Sequence, residues 1–183
     1  MVTHLKNEIR KQILAKRNAL SKDEIEKLSD KILERLLSHP KFPEAKIVAF
    51  YMTKGSEVDT KKMIERAIKE GKQVLVPVTG QKIAFYKFQS FDDLVQGKFG
   101  IMEPKSKDTP FEQCPDIIIV PGVTFGLCMH RLGYGKGYYD RYLSDCKAFR
   151  IGICFDFQII DKLPVHENDQ RMNCIITDKR TIQ

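Results

Sequence analysis

Two kinds of apolar pattern run along this chain. Over residues 3–19, "THLKNEIRKQILAKRNA", Leu5, Ile9 and Ile13 recur every four positions, which predicts an amphipathic helix with one apolar stripe. Lys6 and Arg10 are also four apart and share another face of that helix. Ser21 then stands three residues before Glu24, the spacing of a capping box at the start of a second helix. That helix runs to about His39, with Pro40 and Pro43 expected to stop it. Beyond it the period disappears. "KIVAFY" (46–51), "QVLVPV" (73–78), "DIIIVPG" (116–122) and "FRIGICF" (149–155) are nearly continuous apolar runs, as expected of strands covered on both faces. "KIAFYKF" (82–88) alternates, and "RMNCIITD" (171–178) predicts a last strand. "KKMIERAIKEG" (61–71) reads as a helix capped by Asp59 or Thr60 and ended by Gly71. "GYYDRYLSDC" (137–146) reads as another, while residues 90–106 are polar and turn-rich with room for one helical turn.

A helix between the runs at 46–51 and 73–78 makes a β-α-β unit, hence parallel strands with a right-handed crossover. The expected fold class is α/β: a three-layer sandwich with a mostly parallel central sheet flanked by helices, as one domain over residues 1–183. In such sheets ligands bind beyond the carboxyl ends of the strands. The loops placed there are 52–60, 121–137 and 164–170.

Composition narrows the picture. The net charge is +7, but the lysines are dispersed without a block of like charge. A solvated surface is favoured over a nucleic-acid stripe. No apolar run is long enough for a transmembrane helix, and the charged N-terminus lacks the core of a secretory signal, so a cytoplasmic location is expected. The five cysteines (Cys114, Cys128, Cys146, Cys154 and Cys174) are odd in number and include no C-x-x-C pair. Reduced thiols are expected, with neither a disulfide framework nor a zinc site.

The segment carrying most chemistry is "RLGYGKGYYDRYL" (131–143). Its G-x-G-x-G spacing is not the G-x-G-x-x-G of a dinucleotide fold, and Gly-Lys is followed by glycine, not by the Ser or Thr of a P-loop. The physics of an anion site survives. Glycines admit positive φ and close backbone approach, and successive N–H groups make a nest. A helix starting near Gly137 aims its positive end at the same place. Arg131 and Lys136 add charge, and Asp140 could hold Mg²⁺. The competing reading is a tight glycine-rich connection with an ordinary helix behind it.

"PGVTFG…RLGYGKGYYDRYL" resembles the signature of the 5-formyltetrahydrofolate cyclo-ligase family. The pair Lys6-x-x-x-Arg10, the loop "GSEVDT" (55–60) and "LPVHEND" (163–169) match family landmarks in the same order. The resemblance implies an ATP- and Mg²⁺-dependent ligase. It would convert 5-formyltetrahydrofolate, with or without a polyglutamate tail, to 5,10-methenyltetrahydrofolate, releasing ADP and phosphate. It also implies roles for residues. Lys6, Arg10, Arg131, Gly133, Tyr134, Gly135, Lys136, Gly137, Tyr138 and Tyr139 would bind ATP, with Arg10, Arg131 and Lys136 acting in catalysis. Glu57 would hold the pterin ring beside Tyr51 or Met52, with Tyr138 and Tyr139 lining the folate side. Asp140 and Asp169 would be the metal ligands. Tyr134 stands where some relatives carry arginine. A monomer without nucleic-acid or membrane partners is expected. The alternative is a non-catalytic folate-, nucleotide- or RNA-binding module on the same fold.

Overall fold

In the computed structural model, which describes residues 2–183, the chain opens with α1 (Val2–Asn18) and α2 (Lys22–Ser38). The capping box forms: Ser21 Oγ accepts from the Glu24 N–H at 3.2 Å, and the Glu24 carboxylate accepts from the Ser21 N–H at 2.8 Å. Pro40 follows the end of α2, but Pro43 is no stop. It lies inside one further turn, α3 (Lys41–Glu44), because a first turn has no N–H partner to lose there. Next come β1 (Ile47–Ala49), α4 (Lys61–Lys69) and β2 (Gln73–Thr79), with β1 and β2 parallel. Asp59 caps α4, its Oδ1 accepting from the Lys61 N–H at 2.9 Å. The Thr60 hydroxyl donates instead to the Tyr51 carbonyl at 2.8 Å. Gly71, at φ +75°, ends α4 as the N–H of Lys72 returns to Ala67 at 3.0 Å, the geometry that glycine permits.

β3 (Ile83–Lys87) lies antiparallel to β2. Residues 90–106 hold a 3₁₀ turn (Phe91–Asp93) and an unforeseen hairpin of β4 (Leu94–Gln96) and β5 (Met102–Pro104). Strands of three residues are too short to print an alternating pattern. The remainder is β6 (Ile117–Val120), β7 (Thr124–Gly126), β8 (Arg131–Leu132), α5 (Tyr138–Asp145), β9 (Phe149–Ile153), β10 (Ile159–Ile160), β11 (Cys174–Ile176) and β12 (Thr181–Ile182). The main sheet has the order β12-β11-β9-β6-β1-β2-β3. Its inner pairs are parallel, and only the two edge strands, β3 and β12, run antiparallel to their neighbours. A small sheet, β10-β7-β8, packs beside it.

The continuous apolar runs are explained by two-sided burial. In β6, Ile117 and Ile119 face Ile32 and Leu36 of α2 and Met63, Ile64 and Ala67 of α4. Ile118 and Val120 face the opposite way, toward Phe125 of the small sheet and Leu143 of α5. Each such side chain contributes about 1.5–3 kcal/mol by leaving water. The three expected layers are present, the second outer layer being part helix and part sheet.

Two expectations fail. Leu5, Ile9 and Ile13 are not the buried stripe of α1. Leu5 is 51% exposed, whereas Lys6 and Arg17 are buried together with Ile13. The face at 6, 10, 13 and 17 turns inward because α1 docks on polar loops and not on the apolar core. Likewise, Cys114 and Cys146 are joined as a disulfide, their Cα atoms 5.7 Å apart, whereas Cys128, Cys154 and Cys174 are free. Thirty-two positions separate the pair, so only tertiary folding brings the segment before β6 to the end of α5.

Glycine at 152 is a packing requirement: a Cβ there would lie 2.4 Å from the Phe125 ring. We expect Gly152→Ala to destabilise the protein by about 1–3 kcal/mol, the usual cost of overpacking. Urea unfolding with an unchanged midpoint would contradict this account of the strand glycine.

Candidate functional site

Three loops meet under α1, and the cations of its inward face hold one each. Lys6 Nζ donates to Asp169 Oδ2 at 2.9 Å in loop 161–173. Arg10 Nε donates to the Gly133 carbonyl at 2.8 Å in the glycine loop. Arg17 Nε donates to Ser56 Oγ at 3.1 Å in the loop after β1, while its Nη2 donates to the Tyr134 hydroxyl at 2.7 Å. A helix repeats every 3.6 residues, so positions 6, 10, 13 and 17 form one line along it. The line was half visible in the pair Lys6 and Arg10. Arg17 was missed, although its spacing of seven from Arg10 continues the same stripe.

The glycine loop has an anion-binding geometry. Gly135 (φ +93°) and Gly137 (φ +64°) are left-handed, a region that side chains with Cβ rarely enter. Arg10 also packs on Gly135, with Nη2 3.3 Å from where a Cβ would sit. Gly133 has neither constraint. Gly137 is the N-cap of α5 and offers no side-chain cap. Among the described residues, the N–H groups from Gly135 to Asp140 find no protein acceptor. Those at the start of α5 lie at the positive end of the helix. Arg131 is buried, donates from Nη1 to Asp140 Oδ1 at 2.7 Å, and has an Nε without a protein partner. Buried donors of that kind call for an acceptor from elsewhere. Lys136 is exposed beside them.

Where the Tyr134 side chain ends is Glu57, 8% exposed. Burial pushes its carboxyl above the ordinary range. The Lys54 N–H, the Arg17 charge and the Tyr134 hydroxyl oppose that push. Glu57 Oε2 accepts from the Lys54 N–H at 3.0 Å and Oε1 from the Tyr134 hydroxyl at 3.1 Å. Tyr51 is buried with its hydroxyl on the Val58 carbonyl at 2.8 Å, and burial, then the Glu57 charge, raises its phenol. Burial and the Glu57 charge raise Tyr139 in the same way, and Arg131 lies over the Tyr139 ring at 5.8 Å. Met52 packs into the core beside Tyr51. Tyr138 turns toward the α5 side of the sheet, under Arg141 at 5.3 Å. Tyr134 therefore sends its side chain toward Glu57, although its backbone belongs to the anion loop.

The carboxylates expected to hold a metal each keep one oxygen clear of protein donors. Asp140 Oδ1 accepts from Arg131 and from the Gln170 N–H at 3.1 Å, leaving Oδ2. Asp169 Oδ2 accepts from Lys6 and from the His166 N–H at 2.8 Å, leaving Oδ1. Burial would raise the Asp169 carboxyl, but those two donors outweigh it and hold it below the usual range. Gln170 links the two, so the carboxylates are neighbours through one backbone amide. Among the described residues no cluster of three or more acidic, histidine or cysteine ligands occurs. Two free carboxylate oxygens fit Mg²⁺, which usually takes one or two protein carboxylates and completes its octahedron with phosphate and water.

Comparison with known proteins shows the family. Residues 2–178 match the 5-formyltetrahydrofolate cyclo-ligase family. A probable 5-formyltetrahydrofolate cyclo-ligase of Schizosaccharomyces pombe is 31% identical over 97% of this chain and 97% of its own. The 5-formyltetrahydrofolate cyclo-ligase of Escherichia coli K12 is 29% identical over 92% of this chain and 97% of its own. The solved 5,10-methenyltetrahydrofolate synthetase of Aquifex aeolicus superposes with a TM-score of 0.87 at 39% identity, covering 98% of this chain and 92% of that one. The Mycoplasma pneumoniae synthetase gives 0.76 at 30%, covering 94% and 98%. With the family matched over nearly its whole length and the same fold in relatives of that name, the chain belongs to the 5-formyltetrahydrofolate cyclo-ligase family.

Proposed function

We propose that the protein converts 5-formyltetrahydrofolate to 5,10-methenyltetrahydrofolate, consuming ATP with Mg²⁺ and releasing ADP and phosphate. The observation that carries this reading is the hydrogen bond by which Tyr134 of the glycine loop reaches the buried carboxylate of Glu57 in the loop after β1, which places the two segments one side chain apart. Phosphates fit one end and the aminopyrimidinone edge of a pterin fits the other, since a carboxylate can accept two parallel N–H bonds.

A formyl oxygen is a poor leaving group. In the proposed reaction it attacks the γ-phosphorus and ADP departs, leaving a phosphate ester on an iminium carbon. N10 of the folate then adds to that carbon, loses its proton, and phosphate leaves as the ring closes. Such transfer needs positioning and charge neutralisation more than a protein nucleophile. The N–H groups from Gly135 to Asp140 would cradle the phosphates, with Arg10, Arg131 and Lys136 neutralising charge as it shifts between oxygens. Lys6 would act there as well, while also holding Asp169. Asp140 and Asp169 would hold Mg²⁺, which when bound supplies further neutralisation of the phosphate oxygens. Tyr51 and Tyr139 would wall the pterin end.

Purified protein given ATP, Mg²⁺ and 5-formyltetrahydrofolate should form the methenyl product, read by its near-ultraviolet absorbance. No product under those conditions would overturn the reading. Lys136→Ala should reduce kcat/KM by the equivalent of about 2–4 kcal/mol, as other preorganised donors do. An unchanged value would remove Lys136 from the reaction. Glu57→Gln should raise the folate KM far more than the ATP KM, and equal effects would remove Glu57 from the pterin end.

The same substitution tests the cost of the carboxylate. With its folded pKa raised, Glu57 favours folding only while protonated. That contribution is complete below the ordinary glutamate range and is lost as pH rises through the folded value. Ligand-free Glu57→Gln should therefore melt above the parent protein at neutral pH, with the difference shrinking on acidification. A difference that grows in acid would contradict this sign.

A further inference from the structure

Tyr134 and Arg17 make a chain of polar contacts that phosphate binding does not require. Ser56 Oγ accepts from Arg17 Nε, Arg17 Nη2 donates to the Tyr134 oxygen, and the Tyr134 hydroxyl donates to Glu57 Oε1. Arg17 is 3% exposed, and a guanidinium so deeply placed is costly unless its donors are matched. The planar fork holds its donors to two acceptors in a fixed geometry, which the rotatable donors of a compact ammonium do not reproduce. Tyr134 is the opposite case. The residue is 55% exposed, so little apolar burial holds it in place, and its position is set by the hydrogen bonds at its tip.

A carboxylate offers about four lone-pair sites. In Glu57 one is taken by the Lys54 N–H and one by Tyr134. One site remains on each oxygen, the arrangement that a bidentate N–H edge needs. On the reading above, in which Glu57 receives the pterin, we propose that Arg17 and Tyr134 are positioning residues for Glu57. They orient its plane and keep it ionised for the folate, and they make that orientation depend on the glycine loop to which Tyr134 belongs.

The groups around Glu57 support this. Its own loop supplies Lys54, α1 supplies Arg17, the glycine loop supplies Tyr134, the end of β1 supplies Tyr51, and α5 supplies Tyr139. Asp59 lies on the far side, near Tyr51. Of these, Arg17 and Lys54 are the positive charges, and the tyrosines are neutral at physiological pH. Removing Arg17 or the Tyr134 hydroxyl therefore leaves burial less opposed and moves the Glu57 carboxyl further up.

The test uses the full-length enzyme in the methenyl-product assay, with KM for each substrate and the pH profile of kcat/KM for 5-formyltetrahydrofolate. Tyr134→Phe removes one hydroxyl from a half-exposed ring, and a thermal melt checks that the fold is kept. It should raise the folate KM about tenfold, the weight of one hydrogen bond to a charged group. The ATP KM should barely move, and the acid limb of the profile should shift to higher pH. Arg17→Gln should do the same more strongly. Arg17→Lys should return the acid limb toward the parent position while the folate KM stays high, because the charge is restored without the fork. An unmoved folate KM in Tyr134→Phe, or equal rises in both KM values with an unmoved acid limb, would overturn the proposal while leaving the enzymatic reading intact. A parent protein that neither binds folate nor forms product would overturn both.

Discussion

The cationic line of α1 is the constraint on which the site depends. Lys6 binds loop 161–173, Arg10 the glycine loop, and Arg17 both the loop after β1 and the glycine loop, and those loops share no strand ladder. A buried ammonium or guanidinium must find acceptors, and the loops under α1 supply them. The geometry of the glycine loop follows from these contacts. Arg10 leans on Gly135 and binds the Gly133 carbonyl, which sets the loop just before α5 begins.

The sheet gives that strap something to close over. Five parallel inner strands, buried on both faces, end near the loop after β1 and lead through β6 into the β7–β8 hairpin that carries Arg131. The loop after β1 thus carries Glu57, β8 carries Arg131, and α5 adds Asp140. Stability is conceded locally for this. A glutamate is buried where its charge is disfavoured, and Arg131 keeps a buried donor unmatched. Such frustrated groups collect where a ligand is meant to complete them.

Much of this was legible residue by residue. The apolar runs at 116–122 and 149–155 announced two-faced burial, and β6 and β9 sit at the centre of the sheet. Ser21 and Glu24 announced their helix start because a capping box is local. The glycine spacing excluded the dinucleotide and P-loop motifs and indicated residues free to take positive φ, as Gly135 and Gly137 do. Other features could not be read. The hairpin of β4 and β5 is too short to carry a period. Of the stripe Leu5–Ile9–Ile13 only Ile13 is buried and Leu5 is exposed, since a helix that docks on polar loops buries charges on its inner face instead. The Cys114–Cys146 bond joins positions with no local relation.

What the sequence determined by itself was the set of local choices: strand runs, caps, the glycines that permit positive φ, and the family signature they compose. These depend on neighbours within a few positions, so the chain states them directly. The tertiary structure decided which of the charges became structural. Arg17 looked like any surface arginine until α1 turned it toward Ser56 and Tyr134. Tyr134 looked like part of a phosphate loop until its hydroxyl reached Glu57, 77 positions away. Such contacts arise from packing distant segments together, where burial makes each unmatched charge expensive and each matched one specific.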